Sequence, residues 1–200
     1  MLNTRRNNPL PRIEIIQSRV PKPEELVVLS QPLLKAVVKI GPRLRNAVKA
    51  NWAFGGDASE IMMGVNVQAD YLEILTTKEG CEQIWTELTE YQTLAPGLVE
   101  RKLPRDADVE GKMLPVYIKS HYAEFTIDGV RLEVHGDEQI KVGEWDWGDP
   151  LDFKADYTYT AAGKIPLVPL SLKSELGLGL GWLDRVELIS DAIMQKHHDH

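Results

Sequence analysis

The segment Trp52–Thr77, WAFGGDASEIMMGVNVQADYLEILTT, constrains this chain more than any other. An apolar run, Trp52–Phe54, ends in Gly55-Gly56. A short helix over Asp57–Met63 follows and stops at Gly64, as glycine stops helices. A second strand, Tyr71–Thr76, then carries acidic residues. Glycines at a strand end let an anion such as a phosphate approach the backbone. The amide hydrogens and dipole of the next helix favour its charge. A Gly-Gly pair taken alone also makes a plain tight turn, so its role here depends on the flanking elements.

Residues 1–29 are rich in Arg, Asn and Pro, and are expected to form an extended or disordered arm. Residues 30–196 are expected to form one domain. Ser30-Gln31-Pro32 is a helix start, with a capping side chain and a proline where no donor is needed. Leu33, Leu34, Val37, Val38 and Ile40 follow at helical spacing. Gly41-Pro42 is expected to end or kink that helix. Lys78–Tyr91 is helical, with Cys81, Ile84, Trp85 and Leu88 on one face. Leu98–Lys102 is a short strand and Pro104–Gly111 a polar loop. Leu114–Ser120 and Ala123–Ile127 are strands. Asp128-Gly129 is a two-residue hairpin turn, and Val130–His135 is its return strand. Residues 136–150 form a loop in which Trp145 and Trp147 seal a core edge. Phe153–Thr160 alternates, Ile165–Leu170 is extended, and helices follow near 170–180 and 183–196.

Composition removes some classes. A net charge of −7 and a pI near 5.3 argue against an extended nucleic-acid surface, which needs clustered Lys and Arg. A local basic pocket for one nucleotide is compatible with that charge. Cys81 is the one cysteine, so no intramolecular disulfide forms. It has no basic neighbour to activate it. No apolar run matches a membrane span, and the N-terminus lacks a signal peptide's apolar core. A cytoplasmic protein is expected. The His197-His198-Asp199-His200 tail is read as a mobile end and Arg5-Arg6 as solvated.

Four pieces, in order, resemble the minimal nucleotidyltransferase-fold family of bacteria and archaea, some of whose members belong to toxin–antitoxin pairs. They are residues 51–80, SHYAEFTIDGVRLEVHGD (120–137), WGDPLD (147–152) and KIPLVPLSLKSELGLGLG (164–181). The resemblance implies an α/β (α+β) fold, a mixed sheet flanked by helices, here with an N-terminal helical extension. It also implies Mg²⁺ and an NTP. Gly55, Gly56, Ser59 and Lys173 would contact the nucleotide. Carboxylates on the strand after the glycine turn, in the order Asp-x-Asp, and one on the strand after the hairpin would hold the metal ions. Such ions share ligands, so the carboxylates must face one side of the sheet.

Register tests that pattern, because residues two apart on a strand share a face. Counted from Gly64, the Asp-x-Asp positions fall on Tyr71 and Glu73, and the third on Glu133. Asp70 stands one residue early and faces the other side unless a bulge re-aims it. Asp57 follows the glycines, where the family has Ser or Gly; it can cap the helix but repels a triphosphate. Gly177, Gly179 and Gly181 replace basic residues late in the fold and allow close helix packing. The expectation is a degenerate relative that binds a nucleotide or a protein partner. The alternative is an active enzyme that moves a nucleoside monophosphate from NTP to a hydroxyl of protein, RNA or a small molecule. In that case Glu73, Glu133 and Asp70 would hold Mg²⁺.

Overall fold

Helix α1 (Gln31–Ala47) lies across one face of the sheet. In this computed structural model residues 29–198 are described, with side chains to residue 194. The arm expected over residues 1–29 and the terminal histidine side chains fall almost wholly outside that range. Leu33, Ala36, Val37, Ile40, Gly41 and Leu44 form the buried stripe of α1. The helix continues through Gly41-Pro42 to Ala47 instead of ending there. An internal proline costs about 3 kcal/mol, and burial of this stripe offsets it. Gly41 is needed for contact, since a Cβ there would lie 2.6 Å from Ile165 Cδ1. Ser30 makes no side-chain cap; its carbonyl accepts from Leu34 N–H instead.

Strand β1 (Trp52–Phe54), helix α2 (Gly56–Met62) and strand β2 (Leu72–Thr76) follow the expected order. Helix α3 (Lys78–Glu87) is capped by the Thr77 hydroxyl, which accepts from Gly80 N–H, and a 3-10 turn follows at Thr89–Tyr91. Strand β3 (Gln92–Lys102) is longer than expected. Its first half is exposed and irregularly paired, so it shows no alternation. The expected polar loop contains a small hairpin, β4 (Ala107–Val109) and β5 (Lys112–Leu114), that turns on Glu110-Gly111, both at positive φ. Strands β6 (Val116–Ile127) and β7 (Val130–Val142) form one long hairpin around Asp128-Gly129. β6 is unbroken where two strands were expected, and β7 extends through residues expected to be loop. A register shift near Lys119–His121 disrupts the two-residue pattern there. Strands β8 (Asp156–Thr160) and β9 (Gly163–Leu167) and helices α4 (Leu170–Gly179) and α5 (Leu183–His198) complete the chain.

The seven-stranded mixed sheet has the order β3-β6-β7-β2-β1-β9-β8, and β4-β5 stands apart. β2 is parallel to β7 and antiparallel to β1, and β1 is parallel to β9. The main core lies between the sheet and α1, α2 and α3, and includes Phe54, Leu72, Ile74, Ile84, Phe125 and Leu132. Cys81 is buried in it, and burial pushes its thiol up to about 12. On the opposite face Ala53, Leu75 and Val168 form a smaller cluster, against which Leu151, Phe153 and Leu172 pack. Trp145 is 56% exposed and seals nothing. Trp147 is half-buried, with the ammonium groups of Lys119 and Lys141 over its ring at 4.6 and 5.1 Å. No helix among the described residues is long and apolar enough to cross a membrane.

Gly136 of β7 lets α3 dock. A Cβ there would sit 2.8 Å from the Thr77 carbonyl oxygen and 2.9 Å from Lys78 Cα. Backbone cannot yield as a side chain can. Gly136→Ala is therefore expected to destabilise the fold by about 1–3 kcal/mol, read as a lower urea midpoint at unchanged slope. An unchanged midpoint would mean that α3 does not pack this tightly.

Candidate functional site

Parallel pairing of β2 with β7 sets Glu73 beside Glu133 and Leu75 beside His135. Leu72, Ile74, Leu132 and Val134 point into the main core. By alternation Tyr71, Glu73 and Leu75, with Arg131, Glu133 and His135, face the other side. Gly55 and Gly56 approach that face from the end of β1. The Glu73 carboxylate fills the space the glycines leave. A Cβ at Gly55 would lie 2.7 Å from Glu73 Oε1, and one at Gly56 would lie 3.2 Å from Glu73 Cβ. Gly56 also has φ +56°, in the left-handed region that favours glycine. Asp57 does not cap α2; Gly55 stands at the cap position, and Asp57 pairs with Arg185.

Glu133 is buried and heavily compensated. Arg101 of β3 donates from Nη2 to its Oε2 at 3.0 Å. Arg131 Nη1 lies 3.3 Å from its Oε1, and His135 Nε2 lies 3.3 Å from its Oε2. Burial works against the charge of Glu133, but hydrogen bonds from His135 and Arg101 outweigh it and hold the carboxyl at about 2. His135 Nδ1 lies 3.0 Å from Ser120 Oγ and 3.2 Å from Glu138 Oε2. Burial lowers the basicity of His135, yet Glu133, Glu138 and Glu73 raise it above its ordinary value. Burial, with the charge of Glu73 adding, pushes the Glu138 carboxyl up to about 7.

Tyr71 lines the cavity next to Glu73. The Arg131 guanidinium sits 4.5 Å from its ring centroid, and burial raises its phenol to about 12. Asp70 lies at an exposed bend before β2 and does not line that cavity. The three carboxylates assigned to metal are thus not brought together. Among the described residues no group of three or more His, Cys, Asp and Glu side chains could hold a metal ion. The donor set does not fit a two-metal centre: one carboxylate is committed to arginines, one faces solvent, and a phenol stands where another was expected.

Lys173 of α4 reaches the glycine turn, as Ser59 does from α2. Its Nζ donates to the Gly56 carbonyl at 2.5 Å, to Ser59 Oγ at 2.8 Å and to Glu60 Oε1 at 3.3 Å. Burial lowers the Lys173 pKa, and Glu60 partly restores it. Arg185 of α5 lies 2.7 Å from Glu60 Oε2. Gly177 lets α4 and α5 meet closely, since a Cβ there would lie 2.9 Å from Val186 Cγ2. Beside these groups opens a cavity of about 470 Å³, floored by Glu73 and Glu138 and walled by α4, α5 and the stretch Leu103–Arg105. Arg101, Glu138 and Arg105 were not singled out in the sequence. Arg101 falls within the expected strand Leu98–Lys102, but nothing local shows that it crosses β6 to reach Glu133. Glu138 falls in a stretch expected to be loop.

This arrangement of sheet, glycine turn and carboxylate-bearing strand is a nucleotidyltransferase-like fold. The structure matches that of a "putative nucleotidyltransferase (TM1012)" from Thermotoga maritima, with 27% identity and a TM-score of 0.58 over 81% of this chain and 92% of that one. The lincosamide antibiotic adenylyltransferase LnuA, solved with lincomycin bound, aligns at 11% identity and a TM-score of 0.39 over 72% of this chain and 88% of that one. No protein-family model and no curated protein matches the sequence.

Because the folded pKa of Glu133 lies below its ordinary 4.5, its ionisation adds stability above pH 4.5 that is lost as pH falls towards about 2. Arg101→Ala is expected to cost about 1–3 kcal/mol at neutral pH by removing a donor from a buried acceptor. It also raises the Glu133 pKa, so the variant loses less stability than the parent between pH 4.5 and about 2. Urea titrations across that range check both effects. Equal acid losses in the two proteins would show that Arg101 does not hold Glu133 ionised.

Proposed function

We propose that this chain is a binding protein on a nucleotidyltransferase-like fold, holding a ligand in the cavity beside the glycine turn without transferring a nucleotide. The observation that carries this reading is the compensation of Glu133 by Arg101, Arg131 and His135. Two-metal transfer needs carboxylates free to share cations that stabilise the attacking and leaving oxygens. A carboxylate already neutralised by two guanidinium groups gains little from Mg²⁺, and the arginines would repel the ion.

A second reading keeps the enzyme. It is favoured by the facing positions of Glu73 and Glu133 on adjacent strands. In it the phosphates of an NTP would lie on Gly55-Gly56, and Mg²⁺ would neutralise them. The Glu73 carboxylate packed into that turn opposes this arrangement.

The two readings separate in a labelling assay with radiolabelled NTPs and Mg²⁺ or Mn²⁺, together with Mn²⁺ titration followed by electron paramagnetic resonance. The binding reading expects no label on protein, RNA or small hydroxyl acceptors, and no specific Mn²⁺ uptake. It also expects Tyr71→Asp combined with Arg101→Ala to gain Mn²⁺ affinity by at least about tenfold. Label transfer by the unaltered protein, abolished by Glu73→Ala, would establish the enzyme and end the binding reading.

A further inference from the structure

The cavity beside the glycine turn has walls and a floor of different character. Its walls are apolar, formed by Leu75, Val168, Leu172, Leu176, Ile189 and the Trp182 ring. The indole is fixed, because its Nε1–H donates to the Asp106 carbonyl at 2.9 Å. A volume of about 470 Å³ falls within the range of small-molecule sites.

The charges around it are unequally matched. Asp57, Glu60, Glu73 and Glu138 line the cavity, against Arg105, Lys173 and Arg185. Each of the three cations is already engaged with an acid. Arg105 forms a two-point pair with Asp184, with Nη1 3.1 Å from Oδ2, and its guanidinium also stacks over the Trp182 ring at 5.2 Å. Arg185 binds Asp57 and Glu60, and Lys173 binds Glu60. On the other side of Glu73, Arg101 and Arg131 are taken up by Glu133. Among the described residues the Glu73 carboxylate enters none of these ion pairs and accepts no side-chain hydrogen bond. It is half-buried at the head of an apolar cavity, against a glycine turn that leaves it no room to retreat.

Lys173 and His135 feel the charge of Glu73 from a distance, but no cation among the described residues pairs with it directly, and a partly desolvated carboxylate in that position favours a ligand that brings a counter-charge into contact. We propose that this cavity takes a small organic ammonium ion with an apolar body, its charge set against Glu73 and its body against Trp182 and the leucines of α4. The inference rests on the binding reading above and names its ligand class. Glu138 lies on the same floor, its carboxyl against His135 Nδ1, close to the ammonium end. A triphosphate would meet Glu73, Glu138 and Asp57 without a cation free to neutralise it. A neutral apolar molecule would fill the walls and leave Glu73 uncompensated.

Three probes of one shape test the charge preference: tryptamine, indole-3-ethanol and indole-3-acetate, titrated by calorimetry into the full chain. Tryptamine is expected to bind at least about tenfold more tightly than the alcohol, and the acid more weakly than both. Glu73→Gln, its fold checked by near-ultraviolet circular dichroism, is expected to remove that preference and leave the alcohol unchanged. The probe order in the unaltered protein stands as a test if that variant does not fold. Glu100→Gln, an exposed residue of β3, is expected to change nothing. Binding of the acid as tight as the amine, no change with a folded Glu73→Gln, or no binding of any probe overturns the proposal. MgATP binding more tightly than tryptamine without label transfer overturns this inference and spares the binding reading. Label transfer with the amine preference intact does the reverse.

Discussion

A carboxylate with 2% exposure in the middle of a sheet must be compensated or protonated, and the way Glu133 is compensated organises one face of this protein. Its partners come from two strands. Arg131 and His135 are its neighbours on β7, and Arg101 reaches across β6 from β3. His135 then needs a partner for its second nitrogen and finds Ser120 and Glu138. The edge strand β3, the β6–β7 hairpin and the floor of the cavity are thereby tied into one polar network. The opposite side of the same strands is a dry core of leucine, isoleucine, valine and phenylalanine. A single residue of slip between β2 and β7 would exchange the two faces.

The glycine turn is a second fixed point, held from both sides. Glu73 packs against it from β2, and Lys173 bonds its carbonyl from α4. The donors that Lys173 would offer to a phosphate are spent on Gly56, Ser59 and Glu60. Burial lowers the basicity of Lys173, and the charges of Glu60 and Glu73 oppose that shift. An incoming anion would have to replace three short contacts before gaining one. The turn therefore acts here as a packing joint between α2, β2 and α4.

Much of the fold was legible because local signals agreed. Gly64 and Asp128-Gly129 stop and turn the chain where expected, each at positive φ. Counting from Gly64 placed the Asp-x-Asp positions on Tyr71 and Glu73, strand alternation set Asp70 apart, and Tyr71 and Glu73 do line the cavity without Asp70. Elsewhere tertiary contacts overrode local signals. α1 ignores Gly41-Pro42 because its buried stripe continues beyond them. The first half of β3 and the far half of β7 lie where the sheet has little core to cover, so they do not alternate. The identity of the groups around Glu133 was hidden for a different reason. Arg101 lies 32 residues away from it, and charge pairing between strands leaves no periodic trace in one sequence.

Tyr71 joins these observations. A carboxylate at that position would put another negative charge beside Glu73 and Glu133, and only an added cation could hold such a group together. The phenol removes the demand. Burial keeps it protonated, and its ring accepts Arg131 at 4.5 Å. Arg131 then serves two residues, stacking on Tyr71 and pairing with Glu133. Arginine suits both roles, because its flat guanidinium stacks on rings and binds carboxylates in one geometry. The protein carries its counter-charge on its own side chains where a metal centre would import it. Among the described residues Glu73 pairs with none of these cations, and its carboxylate opens onto the cavity.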